Sequence, residues 1–263
     1  MEKQIKIATW NVCLGARNKV ALIRKFLTEN KIDILCIQEA EVEEEDNLNL
    51  LEIQDYNLEL ELSQAHNKRR TMMYINRRIN YERASKIEKT EAHIIIITLK
   101  GHNNMGLASV YRTYKLTHKE DHKSALEEQM SLLNTFLTAH KNVIILGDFN
   151  LDYAKRTDPS YHHHGLYQQW KTFEDENQLI QMVDFITWQR LNRGRVQQSI
   201  LDHVYTNDLG TVERIEQGDA FISDHKPVIV WLTHKAGIQK RKEWLRDWSR
   251  YSESRLVEEL VKV

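Results

Sequence analysis

Acidic and amide side chains recur in this sequence at the points where apolar, β-type runs stop. Asn11 follows IKIATW, Gln38 and Glu39 follow IDILCI, Tyr111 follows GLASV, and Asp148 and Asn150 sit in GDFN after VIIL. Further along, SILDH at 199–203 and SDH at 223–225 add Asp202, Asp224 and His225 in the same kind of position. A single carboxylate after a strand is usually a turn former or a helix cap. Four such strand ends, with two further positions of the same kind, suggest an assembled site. Hydrolysis of a phosphodiester needs a hard cation on the phosphate oxygens, a general base for water and help for the leaving group, which carboxylates and one imidazole can provide. Magnesium favours oxygen ligands, so Glu39 is a better metal ligand than Cys13 or Cys36. His162, His163 and His164 lie in a polar stretch without nearby carboxylates and read as a surface loop.

The elements that must position these residues are mostly strands. Runs rich in Ile, Val and Tyr span 5–10, 32–38, 71–76, 92–99, 106–111, 142–146, 199–205 and 227–232. Helical spacing appears twice: in Val20, Ile23, Phe26 and Leu27, and in Leu126, Met130, Leu133, Phe136 and Leu137. The alternation predicts an α/β or α+β domain without fixing strand order. One large domain over 1–236 is expected, followed over 237–263 by a charged helical extension with Trp244, Leu245, Trp248, Leu256 and Leu260 as apolar contacts. Packing of these residues back onto the domain is the simpler expectation; docking of a following domain is the other.

Composition narrows the class. Hydrophobic residues at 41% and charged residues at 29%, with two prolines and nine glycines, predict a folded globular protein. Two cysteines in apolar segments suit reduced thiols, hence an intracellular rather than a secreted protein, and no apolar run is long enough to span a bilayer. The formal net charge of −1 means that any nucleic-acid binding must be local. Basic clusters occur at Lys68-Arg69-Arg70, Arg77-Arg78, Arg190 to Arg195 and Lys240-Arg241-Lys242; each alone reads as a solvated face.

TWN at 9–11, QE at 38–39, GDFN at 147–150, SILDH and SDH resemble the ordered motifs of the endonuclease/exonuclease/phosphatase family. The resemblance covers about residues 5–232 and implies that family's four-layer α/β/β/α sandwich, two packed mixed β-sheets flanked by helices. It implies Mg²⁺, for which Mn²⁺ can substitute, held by Glu39 and Asp224, with Asn11 ordering metal and phosphate. Asp148, supported by Asn150, would orient or deprotonate water. His225 would contact the scissile phosphate, with Asp202 holding its tautomer and favouring its protonated form. Tyr111 would donate to a phosphate oxygen or the leaving group, and Ser223 would support the phosphate.

Within the family, the sequence looks most like the apurinic-like endonuclease domain of non-LTR (LINE-type) retrotransposons. Cys13 stands where repair enzymes usually carry an acidic or otherwise fixed residue. Thr187-Trp188 and the basic stretch QRLNRGRVQQ resemble the DNA-approaching hairpin of the retrotransposon enzymes, so Thr187, Arg190, Arg193, Arg195 and Ser223 are expected at the DNA. The tail resembles the segment leading to a reverse transcriptase domain in the same polyprotein. The implied activity is metal-dependent nicking of double-stranded DNA in the nucleus, leaving a 3′-hydroxyl. The alternatives are abasic-site repair, hydrolysis of a lipid or inositol phosphoester, or a catalytically dead binding module. One departure from the family pattern is Thr113, where proline is common two residues after the tyrosine.

Overall fold

The computed structural model describes residues 4–62, 68–85, 92–101, 104–113, 118–219 and 221–235. The expected extension over 237–263, with its tryptophans and the Lys240 cluster, lies outside the described residues.

Two six-stranded sheets pack face to face. In chain order the first holds β1 (Gln4–Asn11), β2 (Ile34–Glu43), β3 (Tyr56–Leu60), β4 (Lys68–Asn76), β13 (Val212–Gln217) and β14 (Val228–Lys235), arranged β13-β14-β1-β2-β4-β3. The second holds β5 (Tyr81–Arg83), β6 (Ile94–Leu99), β7 (Met105–Tyr111), β8 (Asn142–Asp148), β9 (Ile180–Gln181) and β12 (Asp202–Thr206), arranged β5-β6-β7-β8-β12-β9. A separate two-stranded ribbon is formed by β10 (Trp188–Asn192) and β11 (Arg195–Ser199). The strands at 56–60, 81–83, 180–181 and 212–217 lacked a sequence signal because they are short or half-exposed and carry many polar residues. The expected single strand at 199–205 divides instead, because Ile200 and Leu201 lie between the ribbon and β12.

Alternation sorts the apolar side chains into three cores. Ile5, Ile7, Ile34, Met73, Ile95, Leu107, Ile144 and Val230 fill the space between the sheets. Ala8, Trp10, Leu35, Ile37 and Met72 face the other way and are covered by α1 (Val20–Glu29), whose Val20, Ile23, Phe26 and Leu27 are buried. Ile96, Ala108, Val143 and Ile145 are covered by α2 (Lys119–Ala139) and α3 (His164–Glu176), through Leu126, Leu133, Phe136, Tyr167, Trp170 and Phe173. The architecture is therefore the four-layer α/β/β/α sandwich. The histidine run is not simply a surface loop: His164 begins α3, and the His163 ring lies 5.4 Å from that of buried His122.

Each sheet is mixed, and the parallel pair in each decides where the site forms. β1 runs parallel to β2 with Asn11 beside Gln38, and β7 runs parallel to β8 with Tyr111 beside Asp148. Antiparallel β12 begins with Asp202 opposite Asp148. The polar residues that end these apolar runs thus gather at one edge of the sandwich.

Candidate active site

The Asn11 amide links carboxylates of the two sheets at this edge. Asn11 Nδ2 donates to Asp148 Oδ2 at 2.8 Å and to Glu39 Oε1 at 3.2 Å, while Asn11 Oδ1 accepts from the backbone N–H of Cys13 at 2.8 Å. Glu39 sits where β2 bulges: it has a left-handed φ of 53°, and the pairing of β2 with β4 shifts between Gln38 and Val42. The bulge turns its carboxylate inward, where it also accepts from the Tyr111 hydroxyl at 3.3 Å and from the Leu14 N–H at 3.3 Å. Burial first, then the Glu39 and Asp148 carboxylates, push the Tyr111 hydroxyl well above its usual range, so it is held as a donor.

Asp148 is fully buried. Its Oδ1 accepts from the backbone N–H of Asn150 at 2.9 Å, and the Asn150 side chain donates to Asp148 Oδ2 at 3.2 Å and to the Arg112 carbonyl at 2.8 Å. Arg112, which the motifs did not single out, clamps the GDFN turn through Nε to the Phe149 carbonyl at 2.5 Å and Nη2 to the Asn150 carbonyl at 2.6 Å. Gly147 is required because a Cβ there would lie 1.9 Å from the Val110 carbonyl oxygen, at a φ of +144°. Burial raises the Asp148 carboxyl well above the ordinary range, opposed by the nearby His225 charge.

His225 Nδ1 lies 2.8 Å from Asp202 Oδ2. Burial alone would depress this imidazole, but the Asp202, Asp148 and Asp224 carboxylates outweigh it and favour the protonated form. The His225 backbone is held on both sides: its carbonyl accepts from Trp10 Nε1 at 3.1 Å and its N–H donates to Ser223 Oγ at 3.0 Å. Asp202 in turn is fixed by Thr187, whose Oγ1 accepts from the N–H groups of Leu201 and Asp202, both at 3.0 Å. Thr187, expected at the DNA, is instead fully buried beneath the site. Asp152, also missed in the motifs, accepts from Ser199 Oγ at 3.0 Å and the Ile200 N–H at 3.1 Å and so fixes the SILDH segment.

Asp148, Asp202 and His225 offer ligand atoms that all lie within 4.8 Å of one another. Asp202 Oδ1 is buried without a hydrogen-bond partner among the described residues, an orphan acceptor that a cation or its water would satisfy. Glu39 adds a third carboxylate across the Asn11 amide. This oxygen-rich set suits a hard divalent cation. The compact three-residue group differs from the Glu39 and Asp224 pair named for the metal from the motifs; Asp224 is half-buried at the rim.

The ribbon stands beside this centre. Trp188 bridges to His225, the Gln189 N–H donates to the Asp224 carbonyl at 2.9 Å, and the Lys226 N–H donates to the Thr187 carbonyl at 2.7 Å. Its turn is Arg193-Gly194, at φ of 47° and 76°, as a two-residue hairpin with matching twist requires. Arg190, Arg193 and Arg195 are all exposed, and the Arg190 charge reaches Cys13 at the mouth of the site. Leu191 pairs with Val196 across the ribbon, with 71% and 55% of their surfaces exposed.

Comparison with known proteins agrees with the motifs. No curated protein sequence is matched. Among solved structures, the endonuclease domain of TRAS1, a telomere-specific non-LTR retrotransposon, superposes with a TM-score of 0.66 at 14% identity, covering 88% of this chain and 99% of that one. The Xenopus laevis APE2 catalytic domain gives 0.70 at 15% identity over 94% and 99% of the two chains. The 3′ phosphatase NExo from Neisseria, bound to product DNA hairpin, gives 0.67 at 17% over 88% and 100%. At these identities the likeness establishes the fold. The sequence model of the Endonuclease/Exonuclease/phosphatase family matches residues 8–225, and with the sandwich and its edge site in place the chain belongs to that family of hydrolytic nucleases and phosphatases.

Proposed function

We propose that this protein is a magnesium-dependent endonuclease that nicks double-stranded DNA and leaves a 3′-hydroxyl able to prime reverse transcription of a non-LTR retrotransposon. The observation that carries the reading is the ribbon: an exposed basic hairpin is tied by backbone hydrogen bonds to the loop that holds His225, so whatever it grips is registered against the acidic centre. The likeness to the TRAS1 endonuclease domain supports the retrotransposon setting, which carries with it a nuclear site of action and a reverse transcriptase domain in the same polyprotein.

In this reading the Glu39, Asp148 and Asp202 carboxylates would hold Mg²⁺, which would supply charge stabilisation at the phosphate oxygens. Protonated His225 holds a non-bridging oxygen of the scissile phosphate, and Asp202 keeps its Nδ1–H fixed. Asp148, kept basic by its buried position and aimed by Asn11 and Asn150, takes a proton from the attacking water. The water oxygen bonds to phosphorus, the bond from phosphorus to the 3′ oxygen breaks, and the departing oxygen takes up a proton with Tyr111 as its hydrogen-bond donor. The products are a 3′-hydroxyl and a 5′-phosphate.

The test is nicking of supercoiled plasmid in Mg²⁺ or Mn²⁺, in EDTA, and by Asp148→Ala and His225→Ala variants, followed by polymerase extension from the nicks. Metal-dependent, extendable nicks lost in both variants support the proposal. A folded wild type that leaves plasmid intact but releases phosphate from a lipid or inositol phosphoester refutes it.

A further inference from the structure

We propose that Arg70 is a substrate-binding residue that grips a phosphate of the cleaved strand next to the scissile one, on the Tyr111 side of the site. The inference rests on the nucleic-acid reading above and adds a contact that none of the motifs contains. In the sequence, Lys68-Arg69-Arg70 is one of several basic clusters with nothing to separate it from a solvated face.

The bulge in β2 is what singles out Arg70. Between Gln38 and Val42 the strand advances four residues while its partner advances only two, from Thr71 to Arg69. Both Glu39 and Glu41 take up the slack with left-handed φ values, 53° and 48°. The same distortion that sends the Glu39 carboxylate into the acidic centre leaves the Glu41 carboxylate beside Arg70.

Arg70 is firmly rooted but loosely engaged at its tip. Its backbone N–H donates to buried Glu61 Oε1 at 2.5 Å, and Glu61 also holds His93 Nδ1 at 3.1 Å. The His93 carbonyl accepts from the Tyr111 N–H at 3.0 Å and from Thr71 Oγ1 at 3.1 Å. Arg70 and Tyr111 are therefore anchored to one buried pair, and their relative position is fixed. The guanidinium, by contrast, makes one hydrogen bond among the described residues, Nη1 to Thr113 Oγ1 at 3.2 Å. Its Nε stays 3.7 Å from Glu41 Oε1 and has no hydrogen-bond partner among the described residues. A guanidinium built for an ion pair would close on the carboxylate with two short parallel bonds. Nε itself is buried, so what remains for a ligand is the Nη edge of the guanidinium, with 18% of the side chain exposed and its charge felt at the Tyr111 hydroxyl.

A phosphodiester fits this vacancy in bonding because its two non-bridging oxygens can accept the planar guanidinium as a pair. Beside the His225 loop, the ribbon presents the exposed Arg190, Arg193 and Arg195, and the Arg190 charge is felt at Cys13, next to Asn11. Such an arrangement suits a strand with phosphates either side of the scissile one. A small phosphoester would have no use for the more distant cations.

The experiment compares wild type, Arg70→Lys, Arg70→Ala and Arg70→Met in two assays: steady-state plasmid nicking with Mg²⁺, and duplex binding in EDTA across a salt series. Circular dichroism identifies folded variants, and Arg70→Met keeps the apolar stem should the alanine variant be unstable. The expected result for the uncharged variants is a KM and Kd raised about ten-fold, kcat within about three-fold, and a salt slope reduced by about one. Arg70→Lys should keep the slope and recover only part of the affinity, because it keeps the charge and loses the fork. An unchanged slope and KM in folded Arg70→Met, or a fall in kcat alone, overturns the proposal and makes Arg70 a structural support for Tyr111. A wild type that neither nicks nor binds duplex overturns the nuclease reading itself, a failure visible before any variant is compared.

Discussion

One side-chain amide, that of Asn11, spans a carboxylate from each sheet, 2.8 Å from Asp148 Oδ2 and 3.2 Å from Glu39 Oε1. Removing it leaves two acidic groups close together with no donor between them, so their repulsion falls on the one that is more deeply buried. Asn11→Ala is expected to lower kcat by about 10- to 100-fold, the equivalent of one charge-assisted hydrogen bond of about 1.5–3 kcal/mol. Single-turnover nicking measures it directly. A loss confined to KM would show that Asn11 serves substrate binding and leaves Asp148 unaffected.

Asp202 fixes His225 through Oδ2, apart from the place of Oδ1 at the cation site. With its carboxylate replaced by an amide, the imidazole loses the nearest charge that favours its protonated form. The sign follows: His225 then deprotonates at lower pH, and the alkaline limb of the rate profile moves down in Asp202→Asn, by about one unit or more. The rate at neutral pH should fall by about 100-fold or more, in line with loss of an oriented acid group. An unshifted alkaline limb would detach that limb from His225.

The ribbon makes a separable prediction. Leu191 and Val196 form an exposed apolar pair on one face, while Arg190 and Arg195 alternate onto the other. A surface so exposed contributes little to folding, and apolar side chains of this kind serve as wedges in minor-groove binding. Leu191→Asn should leave thermal stability within about 0.5 kcal/mol of wild type and redistribute the nicks along a plasmid. Arg193→Ala should likewise weaken or redistribute nicking with the fold intact. Sequencing the nick positions decides the matter; identical maps for both variants would remove the ribbon from target choice.

The residues that end strands were the legible part of this protein. Asn11, Glu39, Tyr111, Asp148 and Asp202 are each preceded or followed by an apolar run whose alternation forces a strand, and the parallel pairs bring those ends to one edge. The residues that hold them were not legible. Arg112, Asp152 and the Glu61–His93 pair act through backbone carbonyls and N–H groups that come together only after the sheets pack, so no local pattern marks them. Thr187 was placed at the DNA by its neighbours in the motif, yet its hydroxyl is spent on two backbone donors under Asp202. Helix α3 carries a weak sequence signal because its apolar residues, Tyr167, Trp170 and Phe173, are aromatics set among glutamines and charges, which dilutes the helical pattern.

Gly147 is the position least able to change. A methyl group there would meet the Val110 backbone at 1.9 Å, and the residue's φ of +144° is one that side chains avoid. Backbone cannot step aside as a flexible side chain would. Gly147→Ala should therefore cost about 4 kcal/mol or more, from overlap and strain together. Urea denaturation checks this; a variant within about 1 kcal/mol of wild type would mean that β7 and β8 are free to separate at this end.

Beneath the site, Glu174 gives a pH dependence to stability that is independent of catalysis. It lies on α3 with Oε1 buried and unpartnered among the described residues, and burial raises its carboxyl from 4.5 to about 7, opposed by its hydrogen bond with Tyr205 and by the Lys171 charge. The folded state thus prefers the neutral acid. Below pH 4.5 both states are protonated and Glu174 costs nothing; between 4.5 and about 7 the unfolded chain ionises first, and folding stability drains away as pH rises. Glu174→Gln keeps the shape without the charge, so its advantage over wild type should grow across that interval. The full shift corresponds to about 3 kcal/mol, which partial solvent access reduces to about 1–2 kcal/mol. Thermal melts of the two proteins at matched pH values give the difference directly, and a constant offset from acid to neutral pH would show that Glu174 ionises in the folded protein as it does in water.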